Sequence, residues 1–274
     1  GVRSKFFSKG ERMRMLNRMN TGKIIYCLLV LFIAAGLKYT YSQSTSEDLQ
    51  WILGPTASLV EALTGEQFMK EQNIGYVSVH QRIAIIPGCS GINFMIAAFC
   101  MLTISLVCST NRKQYLTLYL MAGFAAAYGM TVCTNSLRII LSIYLYRADI
   151  YFSMMTPANI HRLAGIAIYF VCLCFLYFCV QKISSGRHFD TGKRENKRDN
   201  HKSIFVSCLV PLFWYLFIVL ALPVMNQAHI KNPSLFREHA MYVLIVSFFL
   251  FVMMFLLVIC YRSVKPKQEP GRNL

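Results

Sequence analysis

The stretch PGCSGINFMIAAFCMLTISLVCS, residues 87–109, decides the fold. From Gly91 to Ser109 it holds no charged residue, and a helix crosses the hydrocarbon core of a bilayer with roughly 20 mostly apolar residues. The turn-forming run Pro87-Gly88-Cys89-Ser90-Gly91 precedes it and places a thiol where the helix begins. Two further unusual side chains stand at the ends of apolar segments. They are Arg138 in Asn135-Ser136-Leu137-Arg138 and His161 in His161-Arg162-Leu163-Ala164-Gly165.

Working outward, similar apolar stretches recur at about 24–41, 114–133, 162–181, 204–222 and 240–260. Hydrophobic residues make up 55% of the 274, charged residues only 15%, and mean hydropathy is +0.45. A soluble domain carries about a quarter charged residues. The expected fold is therefore an all-α polytopic membrane bundle of about six transmembrane helices. The apolar piece at 136–146 is too brief to cross, and Arg147 and Asp149 make an extra pair of crossings costly. Residues 136–156 are thus expected to form a re-entrant or interfacial helical hairpin.

The net charge of +16 invites a nucleic-acid reading, which its distribution argues against. Residues 1–23 carry seven Lys/Arg, 110–114 two, 182–203 seven and 262–274 four. If six spans alternate, these twenty of the twenty-eight lie on one side, which is the positive-inside pattern. The expected topology places both termini and the 182–203 loop in the cytoplasm of a multi-pass cell-membrane protein. Its basic runs face membrane lipid and not nucleic acid. The first apolar segment follows basic residues as a signal peptide would. It is longer than the usual signal core and lacks a clear small-x-small site, so a retained anchor is expected.

Eight of the ten cysteines fall within spans or at their cytoplasmic ends, where they pack as small apolar residues. Cys172 and Cys174 are two apart and point to different helix faces, which is poor metal-ligand geometry. No metal and no cofactor is expected. Only Cys89 and Cys133 approach the outer surface. The external segment, about 42–88, is acidic on balance, and Leu53, Ala57, Val60, Glu61 and Leu63 suggest a short amphipathic helix there. Gln81 to Ile86 alternates weakly, as a strand would.

A thiol acts as a nucleophile only as thiolate, and a helix N-terminus favours negative charge. Cys89 fits that setting, with Gly88 and Gly91 allowing close approach of a substrate backbone. A structural cysteine in a tight turn fits the same residues. His161 is expected to begin an inward-running helix capped by Asn159, whose positive end keeps the imidazole neutral and able to accept a proton. An interfacial histidine without a catalytic role is the alternative, and His80 and His229 are also external. Arg138 is expected in the first turn of a short helix capped by Asn135, opposing the helix dipole near lipid. An ion pair with Asp149 or an external glutamate, a phosphate or lipid headgroup, or a substrate carbonyl would offset both costs.

Cys-Ser-Gly at the outer start of one span, Asn-x-x-Arg after the next and a His near the start of the following one resemble the exosortase/archaeosortase family of membrane cysteine transpeptidases. The resemblance spans roughly 80–181. It implies that Cys89 is the nucleophile, His161 the base and Arg138 the stabiliser of substrate or transition state. Ser90, Gly91, Asn135 and Arg162 would then contact substrate. The implied partners are exported proteins with a C-terminal sorting signal, cleaved through a cysteine thioester and passed to an unknown acceptor, with the site on the external face. The expected organisation is a basic cytoplasmic segment at 1–23, an exosortase-like catalytic core at 24–181 that includes the external loop 42–88, a basic cytoplasmic loop at 182–203, two additional helices at 204–260 and a basic cytoplasmic tail at 261–274, with no family motif in 182–274. The competing classes are a transporter, for which no inverted repeat is visible, and a structural membrane protein with a Cys89–Cys133 disulfide.

Overall fold

The computed structural model describes residues 9–79, 83–110, 113–148, 157–186, 209–225 and 227–264. It is an all-α polytopic bundle in which α1 (Lys9–Gln43), α3 (Ile92–Ser109), α4 (Leu116–Arg147) and α5 (Pro157–Gly186) surround the site. A short helix, α2 (Gln50–Thr64), and a three-stranded antiparallel sheet fill the segment between α1 and α3. The sheet order is β1 (Phe68–Glu71), β2 (Gly75–Ser78) and β3 (Ala84–Ile85). The C-terminal part adds α6 (Leu209–Val224) and α7 (Pro233–Val264).

Among the described residues, five helical segments are long and apolar enough to cross a membrane: Thr21–Gln43, Pro87–Ser109, Leu116–Arg147, Asn159–Lys182 and Pro233–Leu257. They match five of the six apolar stretches of the sequence. The sixth, α6, is shorter within the described residues. Pro223 has no N–H for the helical ladder, and the preceding turn, Phe217–Ala221, widens to π geometry.

The innermost helix is α3, which packs against α1, α4 and α5. Its hydrophobicity runs all the way round, as a helix covered on every side requires, and Phe94 through Leu102 are buried without a break. The external amphipathic helix expected around Leu53–Leu63 is α2, which buries Ile52, Leu53, Thr56, Ala57 and Val60 and packs against α4. The strand expected near Gln81–Ile86 is present at Ala84–Ile85, where it completes the sheet.

One expectation is corrected. No hairpin begins at residue 136, because α4 continues unbroken to Arg147. Its 32 residues, at 1.5 Å each, make about 48 Å, well beyond the roughly 30 Å of a hydrocarbon core. The polar run Thr134-Asn135-Ser136 interrupts the hydropathy but not the helix. All three residues are buried, Asn135 bonds two neighbouring elements, and Ser136 Oγ donates to the Thr56 carbonyl at 3.3 Å. Polar side chains within a membrane helix are tolerated where they face protein. The rest of the expected hairpin, 149–156, lies outside the described residues, as do most of the 182–203 loop, most of the 261–274 tail, and His80.

Candidate active site

Pro87–Cys89 form a 3-10 turn just ahead of α3, with Cys89 N–H donating to the Ile86 carbonyl at 2.7 Å and Ser90 N–H to the Pro87 carbonyl at 3.0 Å. Gly91 then takes φ +73°, a left-handed conformation that favours glycine, and its carbonyl accepts the first α3 bond from Met95 N–H. A side chain there would also press on Thr131 Cγ2 at 3.1 Å and Tyr169 Oη at 3.3 Å. The Gly91 backbone therefore sits directly against α4 and α5. Tyr41 of α1 donates to the Pro87 carbonyl at 3.4 Å, and Lys38 Nζ donates to Asn93 Oδ1 at 2.7 Å. The turn is thus tied to three helices besides its own.

Asn135 bonds the turn and α5 at once. Its Nδ2 donates to the Cys89 carbonyl, and its Oδ1 accepts from Tyr169 Oη at 2.9 Å. It stands in mid-α4 and caps nothing. Arg138, one turn further on, is likewise inside α4 and not in the first turn of a new helix. The dipole cost expected for it does not arise.

Arg138 is 9% exposed, and its Nε and Nη2 have no hydrogen-bond partner among the described residues. Among the described residues it makes no ion pair. Its guanidinium lies over the Tyr169 ring, 5.2 Å from Cζ to centroid. Gly165 makes room for the stem, since a Cβ there would stand 3.1 Å from Arg138 Cδ.

His161 lies in the second turn of α5, which begins at Pro157, so Asn159 is inside the helix and is not its cap. Ser142 Oγ stands 2.6 Å from His161 Nδ1 and 2.9 Å from the Arg138 carbonyl. A hydroxyl has a single proton. With that proton given to the carbonyl, Ser142 Oγ accepts from His161 Nδ1–H, and Nε2 is left as the unprotonated, proton-accepting nitrogen.

Cys89, Arg138 and His161 line one cavity of about 520 Å³, together with Gly91, Arg162, Tyr169 and other residues. A smaller cavity of about 230 Å³ is lined by Cys89, His161 and Ser142. Ser90 is fully buried, with its hydroxyl unbonded among the described residues, and does not line the larger cavity; neither does Asn135. Arg162 does line it, while its Nη1 donates to Glu238 Oε1 at 3.0 Å and its Cζ lies 5.7 Å from the Tyr242 ring centroid. Cys89 and Cys133 are both free thiols, so the disulfide of the structural alternative does not form.

The sequence reading missed Ser142, Gly165 and Tyr169, and also Tyr215, Val219, Pro223 and His239, which α6 and α7 bring to the cavity. The first three carry a signal in spacing alone. Asn135, Arg138 and Ser142 recur at i, i+3 and i+7, and His161, Gly165 and Tyr169 at i, i+4 and i+8, so each set shares one helix face. For the α6 and α7 residues no sequence signal points to the cavity.

The family model described as transmembrane exosortase (Exosortase_EpsH) matches residues 19–178 of this chain. That segment runs from α1 through most of α5 and contains Cys89, Arg138 and His161. Comparison with curated proteins and with solved structures returns no match.

Proposed function

This chain belongs to the transmembrane exosortase family, a family of membrane transpeptidases, and we propose that Cys89, Arg138 and His161 form its catalytic centre. The supporting observation is the single cavity lined by all three residues inside the matched segment. In this reading His161 Nε2 takes the proton of the Cys89 thiol. The thiolate attacks the carbonyl carbon at the base of a substrate's C-terminal hydrophobic tail. Arg138, whose Nε and Nη2 are unbonded among the described residues, donates to the oxygen as it gains negative charge. Such donors are worth several kcal/mol in a site that excludes water.

Collapse of the tetrahedral intermediate breaks the C–N bond, and the departing amine takes the proton back from His161. The acyl group stays on Cys89 as a thioester. An amine-bearing acceptor, or water, then attacks it, passing a proton to the imidazole and releasing the thiol. Arg162, held by Glu238 at the same cavity, is a substrate contact in this scheme, and Gly91 lines the cavity beside it. A substrate of short motif, hydrophobic helix and basic end suits a site at the external membrane boundary. The helix sets the depth of the scissile bond.

The test is Cys89→Ala in the native host, at wild-type abundance. Exported proteins that retain a C-terminal hydrophobic tail in that strain, and lose it in the wild type, support the assignment. Unchanged processing removes Cys89 as the nucleophile.

A further inference from the structure

We propose that Tyr169 is the positioning residue of this centre, holding Arg138 by its ring face so that the guanidinium keeps its donors for the substrate. The inference rests on the catalytic reading above and goes beyond it. It begins from an unusual pairing. A buried guanidinium normally meets a carboxylate, which binds two of its five N–H donors. Arg138 has no such partner among the described residues, and both Nε and Nη2 are unbonded.

What lies beside it is the Tyr169 ring, at 5.2 Å. A ring face attracts a cation through its quadrupole, worth about 0.5–2 kcal/mol, and consumes no N–H. A carboxylate in that place would compete directly with the substrate oxygen. The ring itself is fixed. Its Oη donates to Asn135 Oδ1 at 2.9 Å, and Phe94 stacks on it at 5.2 Å.

The two ends of Tyr169 therefore serve two functions. Through Asn135 the hydroxyl is linked to the carbonyl of Cys89. Through the ring it sets the angle of Arg138, whose stem occupies the gap left by Gly165. Tyr169 touches both the arginine and the asparagine that grips the nucleophile's turn, so it fixes one relative to the other.

Two measurements on the full-length protein in its native membrane test this. One is the pulse-chase rate of tail removal from an exported protein that accumulates uncleaved in the Cys89→Ala strain. The other is the rate at which iodoacetamide alkylates Cys89, a reaction that needs no oxyanion donor. Tyr169→Leu is expected to slow tail removal by about 100-fold, the loss seen when an oxyanion donor is removed, while alkylation stays within about twofold. Tyr169→Phe keeps the ring and is expected to restore most of the rate. Tyr169→Met, whose unbranched side chain reaches further along the ring's length than leucine's, is read in parallel so that poor accumulation of one variant does not decide the result.

Full-rate tail removal by Tyr169→Leu or Tyr169→Met, with Cys89→Ala and Arg138→Lys inactive, overturns the inference and leaves the catalytic reading standing. An equal fall in alkylation and processing also overturns it, because Tyr169 would then only support the fold. Unimpaired processing by Cys89→Ala overturns both.

Discussion

Ser142 on α4 and His161 on α5 meet at 2.6 Å, and this contact is the first of three that run down the facing sides of the two helices. Next, Arg138 lies in the gap at Gly165. Then Asn135 bonds Tyr169. Residues 142, 138 and 135 descend one helix as 161, 165 and 169 ascend the other, as antiparallel neighbours must. Every member of the proposed centre except Cys89 stands on this seam, and Asn135 ties Cys89 to it by its carbonyl.

Gly165→Ala separates function from stability. A mid-helix alanine gains about 1 kcal/mol of helix propensity over glycine, which offsets the tight 3.1 Å approach to Arg138 Cδ. The thermal midpoint of the detergent-solubilised protein is expected to hold, while tail removal slows by roughly tenfold as the guanidinium shifts. Gly165→Val is expected to abolish processing. Equal processing by Gly165→Val and wild type would show that Arg138 needs no fixed placement.

Ser142→Ala removes the acceptor that holds Nδ1–H of His161. The ring is then free to rotate or change tautomer, and processing is expected to fall by about tenfold, within the range for a general-base contribution. Ser142→Thr keeps the hydroxyl and should retain most of the rate. An inactive threonine variant at normal abundance counts against the tautomer argument.

Asn135→Ala leaves the Tyr169 hydroxyl and the Cys89 carbonyl without their shared partner. Losing a buried bond of this kind costs about 1–3 kcal/mol. The expected result is a lower thermal midpoint together with slower processing, measured on the same purified protein. Asn135→Asp keeps the acceptor for Tyr169 but cannot donate to the Cys89 carbonyl, and should recover little activity.

Cys133 is the control for Cys89. It is an exposed free thiol on α4 and does not line the cavity. Cys133→Ala is expected to process at the wild-type rate, and a membrane-impermeant maleimide should label Cys89 in intact cells without prior reduction. Loss of processing in Cys133→Ala would reopen the choice of nucleophile.

Topology has its own test, resting on the twenty of twenty-eight Lys/Arg assigned to one side. Reporter fusions at residue 195 should read as cytoplasmic and fusions at residue 73 as external. The opposite pair of readings would place the cavity on the cytoplasmic face.

The sequence determined that this chain is a bundle of membrane helices, because some 20 uncharged residues in a row have few other stable homes. It also isolated Cys89, Arg138 and His161, since a thiol in a glycine turn and charged or titratable groups beside apolar spans are costly enough to stand out. It misplaced the break in α4. Hydropathy records that Asn135 and Arg138 are polar but not what they face, and only the packed α3 turn and α5 supply the partners that keep the helix whole. Tertiary structure alone brought Ser142, Gly165 and Tyr169 to the cavities of the candidate site. A serine, a glycine and a tyrosine are ordinary residues in a membrane helix, and each acquires a role only from the side chain opposite. The same holds for α6 and α7, whose Tyr215 and His239 reach the cavity through the path of the chain beyond the matched segment, which no local pattern specifies.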